Sequence, residues 1–204
     1  MVTRKRELYV EGGGDRNPAL ASECRKAFSK LFEKAGITQK PKVIACGGRK
    51  QAYDQFCTAF REGDADVWLL VDAEEPVRAA LPASPWDHVK TRRGDGWDRP
   101  EGATDEQLHL MHVCMETWLV SDGGALREFF GPKLDETKLP ALNSLEQAAK
   151  QVIYDTLAAA TKPTPSGKYG KGAHSFGVLA LVSPQKIRQL TWGARFLNAM
   201  GATS

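Results

Sequence analysis

Residues 67–76 read VWLLVDAEEP. The first five are all apolar, most of them β-branched or aromatic, and they run without a break into Asp72, Glu74 and Glu75, with a proline behind. A short apolar run bounded in this way is the pattern of a strand buried on both faces, as strands are in parallel sheets covered by helices. In open α/β sheets ligands gather just beyond the carboxyl ends of the strands. The acids at 72–75 therefore stand where a metal or a substrate would be met.

Upstream, residues 7–10 (ELYV) form a shorter strand that stops at Glu11-Gly12-Gly13-Gly14-Asp15, where glycines permit a tight turn. Asn17 and Pro18 supply an N-cap and a first helical residue. Leu20, Cys24, Phe28, Leu31, Phe32 and Ala35 then recur at helical spacing up to Gly36. A second unit repeats the order: a strand over 42–46, a turn at Gly47-Gly48 and a helix near 50–61. Repeated alternation of strand and helix predicts an α/β fold, a mostly parallel sheet covered by helices.

Downstream, residues 82–104 mix Pro, Gly, Asp and Arg with two tryptophans and show neither period, which predicts a long loop, functional or disordered. A late strand is expected over 107–113, a helix over 114–120, and a short helix over 125–130 capped by Asp122. Ser144 with Gln147 reads as a capping box for a helix to about residue 160. Residues 162–173 (KPTPSGKYGKGA) form a Pro, Gly and Lys loop, and helices are expected near 175–181, 184–190 and 195–200. The chain divides into a core over 1–130 and a helical C-terminal extension over 131–204, packed as one compact unit.

With 204 residues the chain can bury one sizeable core, and 28 Lys and Arg against 25 Asp and Glu leave a net charge of +3. That excess is too small to argue nucleic-acid binding from charge alone. Four cysteines without CxxC spacing read as buried thiols rather than a disulfide or zinc framework. The N-terminus lacks the pattern of a signal peptide and no apolar run approaches membrane length, so a cytoplasmic protein is expected, with no membrane partner.

On an extended segment residues i and i+2 face the same way, so Asp72 and Glu74 can aim two carboxylates at one point. Glu11 completes the set if its strand is the neighbour, with Asp15 at the start of the following helix. Clustered carboxylates repel and are costly to desolvate, which makes most sense around a hard divalent cation, magnesium or manganese. The alternative is structural: Glu11 and Asp15 as turn and helix-start residues, and 72–75 as a solvated cap. Positive charge for phosphate chemistry is offered by Lys168, Lys171 and His174 on a glycine-rich loop, with Lys171 the choice for a catalytic cation. Arg92, Arg93, Arg99 and Trp97 in the long loop suit backbone contact and base stacking. His109 and His112, three apart on a strand, face opposite ways and do not suit joint ligation. Ser121 and Ser175 lack a nucleophile-elbow context, and Gly12 to Gly14 do not make a dinucleotide fingerprint.

The order of a strand ending in Glu-Gly-x-x-Asp, a glycine before a second helix and a strand ending in Asp-x-acid resembles the Toprim fold of topoisomerases, primases and overcoming-lysogenization-defect nucleases. More closely, LYVEGGGD, ACGGRKQAYDQF, LLVDAEEPV, PWDHVK, HLMHVCMETWLVSD and KYGKGAHSFGVLALVSPQKIR resemble the Toprim-like domain-of-unknown-function 4276 family. The resemblance implies a Toprim-type, Rossmann-like core over 1–130 that binds magnesium or manganese. It implies a nuclease that cleaves phosphodiester bonds, DNA ahead of RNA, and an AAA- or ABC-type ATPase partner in anti-phage defence. Asp72 and Glu74 would bind the cation, Glu11 would be a ligand or the base that readies water, and Asp15 would hold a second ion. Glu116 matches the family's Met-Glu-x-Trp position and would add a carboxylate. Where the Toprim second motif is Asp-x-Asp this chain has Asp72-Ala73-Glu74, which leaves open which acid holds the second place. Two other readings use the same residues: a binding subunit that acts only with its ATPase, and a nucleotidyl transferase.

Overall fold

The computed structural model describes residues 4–14, 17–77 and 84–202. Its centre is a four-stranded, all-parallel sheet in the order β2-β1-β3-β4, built from β1 (Lys5–Val10), β2 (Lys42–Ala45), β3 (Ala65–Asp72) and β4 (Leu108–Met111). The expected α/β fold is present. β1 and β3 are hydrogen-bonded neighbours, with Val10 opposite Leu70, so the two acid-tipped strands end side by side.

The unbroken apolar run of β3 is explained by burial on both faces. Leu70 joins Leu8, Val10 and Met111 in a cluster with helix α1 (Pro18–Lys34), while Val67, Leu69 and Val71 face Phe56 and Ala52 of helix α2 (Arg49–Glu62). Strand residues alternate sides with period two, so every second one feeds each core. Asn17 caps α1 by accepting a hydrogen bond from the Leu20 N–H at 3.1 Å, ahead of Pro18. α2 ends at Gly63, whose left-handed φ of 72° a side chain would resist.

Three expectations need correction. Residues 82–104 are not without regular structure, because Pro85–Thr91 form a helix, α3, whose Trp86 and Val89 are buried against β4 and α2. Proline at its first position and only two large inward side chains, Trp86 and Val89, leave too short a period to recognise in the sequence. Nor is Ser144 the cap of a long helix. Its hydroxyl donates back to the Ala141 carbonyl at 2.7 Å within a 3-10 segment, Leu142–Gln147, and the helix proper, α6 (Lys150–Thr161), starts afresh after Ala148. The late strand is shorter than 107–113: a 3-10 turn, Asp105–Gln107, opened by a Thr104–Gln107 capping box, runs up to it, and the strand covers Leu108–Met111.

Helices α4 (Met115–Val120), α5 (Gly123–Phe130), α6, α7 (Ser175–Leu179), α8 (Pro184–Arg188) and α9 (Thr191–Ala199) follow β4, with Asp122 capping α5 as expected. Their buried residues, Trp118, Ile153, Leu179 and Phe196 among them, continue the α1 cluster, so residues after 130 share a core with β1 and β3. The four cysteines are free and buried. Burial raises all four thiols, Cys24 and Cys46 to about 12, so none is a thiolate nucleophile at neutral pH. Among the described residues no helix is long and apolar enough to cross a membrane.

His109 and His112 are core histidines. His109 donates through Nε2 to the Glu106 carbonyl at 3.1 Å and packs edge-on against Phe196, whereas His112 Nε2 accepts from the Val77 N–H at 2.8 Å and stacks on Trp192. Burial lowers His109 to about 3 and His112 to about 4. Below pH 6.5 the unfolded chain takes up protons that the folded chain refuses, so each histidine contributes stability that is lost as pH falls from 6.5 toward 4, at up to about 1.4 kcal/mol per unit. A His112→Gln variant, whose amide oxygen can still accept from Val77, is expected to be less stable than the parent at pH 7.5 and to close that gap at pH 5. Urea titrations at the two pH values measure it, and a gap that does not narrow refutes the neutral, buried assignment.

Candidate functional site

The carboxyl edge of the sheet brings together three acids from two strands. Glu11 follows β1 directly and is pinned from both ends. Its N–H donates to the Leu70 carbonyl at 2.9 Å and its Oε2 accepts the Asp72 N–H at 3.0 Å. The glycine turn behind it is tied to the next one by a mutual pair of backbone bonds between Gly12 and Gly47, 2.8 and 2.9 Å long. Gly13, at φ 86°, cannot carry a side chain, because a Cβ there would come within 2.7 Å of Ala45. This is why the turn is written in glycine.

Asp72 is the last residue of β3 and only 3% exposed. Its Oδ1 accepts the Met115 N–H at 2.8 Å, from the first turn of α4. Glu74 reaches the same spot through a bend rather than along a strand. The Ala73 and Glu74 N–H groups donate to the Met111 and Val113 carbonyls at 2.8 and 2.7 Å, the His88 ring donates to the Ala73 carbonyl, and Glu74 sits at φ 70°. A non-glycine residue there costs roughly 1–2 kcal/mol, a strain common where a side chain is aimed for use. Ligand oxygens of Glu11, Asp72 and Glu74 all lie within 4.8 Å of one another. The reading of these acids as a solvated cap is set aside by that inward convergence. Glu75, by contrast, is exposed.

Two basic residues that the sequence reading passed over hold the cluster. Lys150, in the first turn of α6, places Nζ 2.6 Å from Glu74 Oε1 and 3.2 Å from Asp72 Oδ2. Arg49, the first residue of α2, reaches Glu11 Oε2 at 3.3 Å and donates to the Asp72 carbonyl. Its guanidinium is clamped by Asp95 at 2.9 and 2.6 Å and covered by the Trp97 ring at 4.7 Å. Nothing local marks Lys150, whose partners lie 76 and 78 residues away. Arg49 had one signal, its place directly after the Gly47-Gly48 turn that mirrors Gly12.

Other expected site residues are distributed as follows. Lys171 is in the site, with Nζ 3.9 Å from Asp72 Oδ2 and 5.8 Å from the Tyr154 ring centre. Lys168 and Arg93 are exposed at the surface. Arg92 turns inward to Asp95 at 3.0 Å, and Trp97 is buried on Tyr53 with ring centres 4.6 Å apart. The long loop therefore serves Arg49, and Trp97 has no face left for a base. His174 is likewise engaged, accepting the Gly170 N–H at 3.0 Å and packing against Phe129, Phe130 and Tyr169, which makes it a loop-closing residue. Glu116 is fully buried and stands outside the three-acid group. Its two oxygens accept the hydroxyls of Tyr154 and Tyr169, each at 3.0 Å. Asp15 lies outside the described residues.

Burial, then the charge of Glu11, push the Asp72 carboxyl up to about 7, against the pull of Lys150 and Lys171. Although half-burial works the other way, the Lys150 hydrogen bond and charge hold Glu74 below its ordinary value. Lys150 in turn is desolvated, yet the two acids keep its ammonium above its ordinary value. The cluster thus keeps Lys150 charged and leaves Asp72 as the acid that takes the proton when the cations do not suffice. Three convergent carboxylates without sulfur or imidazole are a donor set for a hard divalent cation, and the residues present fit magnesium or manganese.

A sequence profile of the family described as Domain of unknown function (DUF4276) matches residues 10–201, which takes in every residue of this site. No curated protein and no solved structure matches the chain.

Two outcomes follow from the electrostatics. Because protonated Asp72 cannot ligate, manganese affinity should rise about tenfold per pH unit up to about 7 and level off above it, with proton release visible as a buffer-dependent heat in calorimetry. A pH-independent affinity between 5.5 and 7 would contradict this. Lys150→Met should cost on the order of 2 kcal/mol in chelator, less than the roughly 3–5 of a fully enclosed pair because Lys150 is 21% exposed. Millimolar manganese should return most of the loss, as read by thermal melts.

Proposed function

The chain belongs to the DUF4276 family, whose description assigns no activity, and we propose from its own residues that it is a divalent-metal-dependent phosphodiesterase acting on nucleic acid. The observation that carries the reading is the convergence of Glu11, Asp72 and Glu74 at one sheet edge, with Lys171 within reach of the same point. The Toprim-like order of acids and turns supports it, since that fold places a strand-end Glu and an Asp-x-acid motif beside each other for the same purpose.

A magnesium or manganese ion held by these acids would polarise the scissile phosphate and lower the pKa of a bound water. The chain's own groups have separable tasks. Asp72 is held in place by the Met115 N–H. Glu11 has Oε2 tied to the Asp72 N–H and Arg49, so Oε1 is the atom it would give to a cation or to the attacking water. Arg49 is fixed by Asp95 and Trp97, and it positions Glu11 rather than reaching out to substrate. Lys171, with 57% of its side chain exposed, can turn from Asp72 to a phosphate oxygen and offset the charge that builds there in the transition state.

A second reading, a subunit that acts only when a partner ATPase engages it, has one observation in its favour. The Lys150 ammonium already bridges Asp72 and Glu74, so an incoming divalent ion must displace it. A partner contact that moves α6 would do so. DNA is the first substrate to try and RNA the second.

The test is cleavage of labelled DNA and RNA by the purified chain with magnesium, manganese or chelator. Metal-dependent cleavage is expected, with Asp72→Asn and Glu11→Gln each slower by roughly 10²-fold or more. Cleavage that survives chelator, or either variant at full rate, refutes the assignment. Activity that appears only on adding an ATPase, or in Lys150→Met, selects the second reading.

A further inference from the structure

A cavity of about 270 Å³ opens directly beside the carboxylates. Glu11 and Asp72 form one wall, Leu20, Met115 and Phe176 supply the apolar lining, the glycine backbone at 12–14 passes along it, and Lys171 stands at the side. We propose that this cavity seats the single terminal nucleotide of a nucleic-acid chain. The proposal rests on the phosphodiesterase reading and narrows its substrate to chain ends.

Size is the first argument. At about 270 Å³ it lies just under the ~300–1,000 Å³ of common ligand pockets, room for one nucleotide at most and far too little for a duplex or a stretch of strand. Two of its walls are joined, because α7, which carries Ser175 and Phe176 of the lining, packs on α1, which carries Leu20, and Phe176 belongs to the main core. An internal nucleotide must have chain leaving in both directions, whereas an end needs only one way out. The space depends on residue 12 being bare, since a Cβ on Gly12 would stand 3.3 Å from the Phe176 ring that faces it.

Chemistry is the second. The lining that would meet a base is apolar, and every base offers a flat face to such a surface, so binding is indifferent to base identity. Ser175 also lines the cavity, but its hydroxyl is already shared with the Tyr169 hydroxyl at 2.7 Å and the Gly172 N–H at 3.1 Å. The polar groups sit on the side of the acids, where the phosphate linking the seated nucleotide to its neighbour would lie, with Lys171 Nζ 3.9 Å from Asp72 Oδ2 to receive one of its oxygens. In the reaction, the oxygen of water bonds to phosphorus and the bond from phosphorus to the neighbouring nucleotide's oxygen breaks. The proton lost by water ends on that oxygen or in solvent, and the products are a nucleoside monophosphate and a chain one unit shorter.

Equilibrium dialysis of the full chain with deoxynucleoside monophosphates and manganese tests the seat, and cleavage of linear against circular single-stranded DNA tests its consequence. All four nucleotides should be retained within about threefold of one another, with inorganic phosphate retained at least tenfold more weakly. Leu20→Trp and, separately, Met115→Phe should weaken nucleotide retention at least tenfold while manganese still binds, and circles should resist cleavage that consumes linear strands. Phosphate held as well as nucleotide, retention unchanged in both variants, or circles cut as fast as linear strands would overturn the seat. The two ideas fail differently: cut circles leave the phosphodiesterase standing, whereas nucleotide retained by a chain that cleaves nothing leaves the seat and removes the phosphodiesterase.

Discussion

The hydrogen bond from the Asp72 N–H to the Glu11 carboxylate is the contact on which the site depends, because it joins two like charges through a neutral donor. Two carboxylates about 4 Å apart repel by roughly 4 kcal/mol at the effective dielectric near a protein surface. A fold that converges three of them must answer that repulsion with something. Here the answers are a backbone N–H for each of Glu11 and Asp72, the Arg49 guanidinium on one side and the Lys150 ammonium on the other. The remaining imbalance appears as the raised Asp72 carboxyl.

Each of those answers is itself supported. Arg49 would be a poor neighbour for Glu11 if it could swing away, and Asp95 with Trp97 prevents that. The loop from α3 to β4 is therefore internal scaffolding. Lys150 is carried by α6, and α6 is tied to α4 by the Tyr154 hydroxyl on Glu116, the same α4 whose first N–H holds Asp72. Glu116 also takes the Tyr169 hydroxyl, which anchors the loop bearing Lys171. A buried carboxylate that accepts two phenols is a junction between the elements that surround the acids, and its burial is offset by a hydrogen bond to each of its oxygens.

This arrangement bears on how the chain is divided. A boundary near residue 130 separates the sheet from the later helices in sequence, yet Lys150 and Lys171 come from beyond it and complete the charge balance at the sheet edge. The later helices also share the buried cluster of β1 and α1. In this protein the site is a property of the whole described chain.

The sequence alone determined what local physics controls. An unbroken apolar run ending in acids marked β3, glycines at 12–14 and 47–48 marked turns that only a bare backbone can make, and Asn17-Pro18 marked a helix start. With strand and helix alternating, a mostly parallel sheet followed, but that β1 and β3 are neighbours in it, so that Glu11 and Asp72 meet, was decided by the tertiary structure. Where signals were weak or ambiguous, as at Pro85–Thr91 and Ser144, local reading failed, because a seven-residue helix has too little period and a serine can satisfy its hydroxyl in more than one turn. Only the tertiary structure decided which cations serve the acids. Lys150 looks like any solvated helix lysine and Arg49 like any residue at a helix start, since their acidic partners lie 76 and 78 residues away for Lys150 and 38 for Arg49, and pairing by approach in space leaves no periodic trace in the chain.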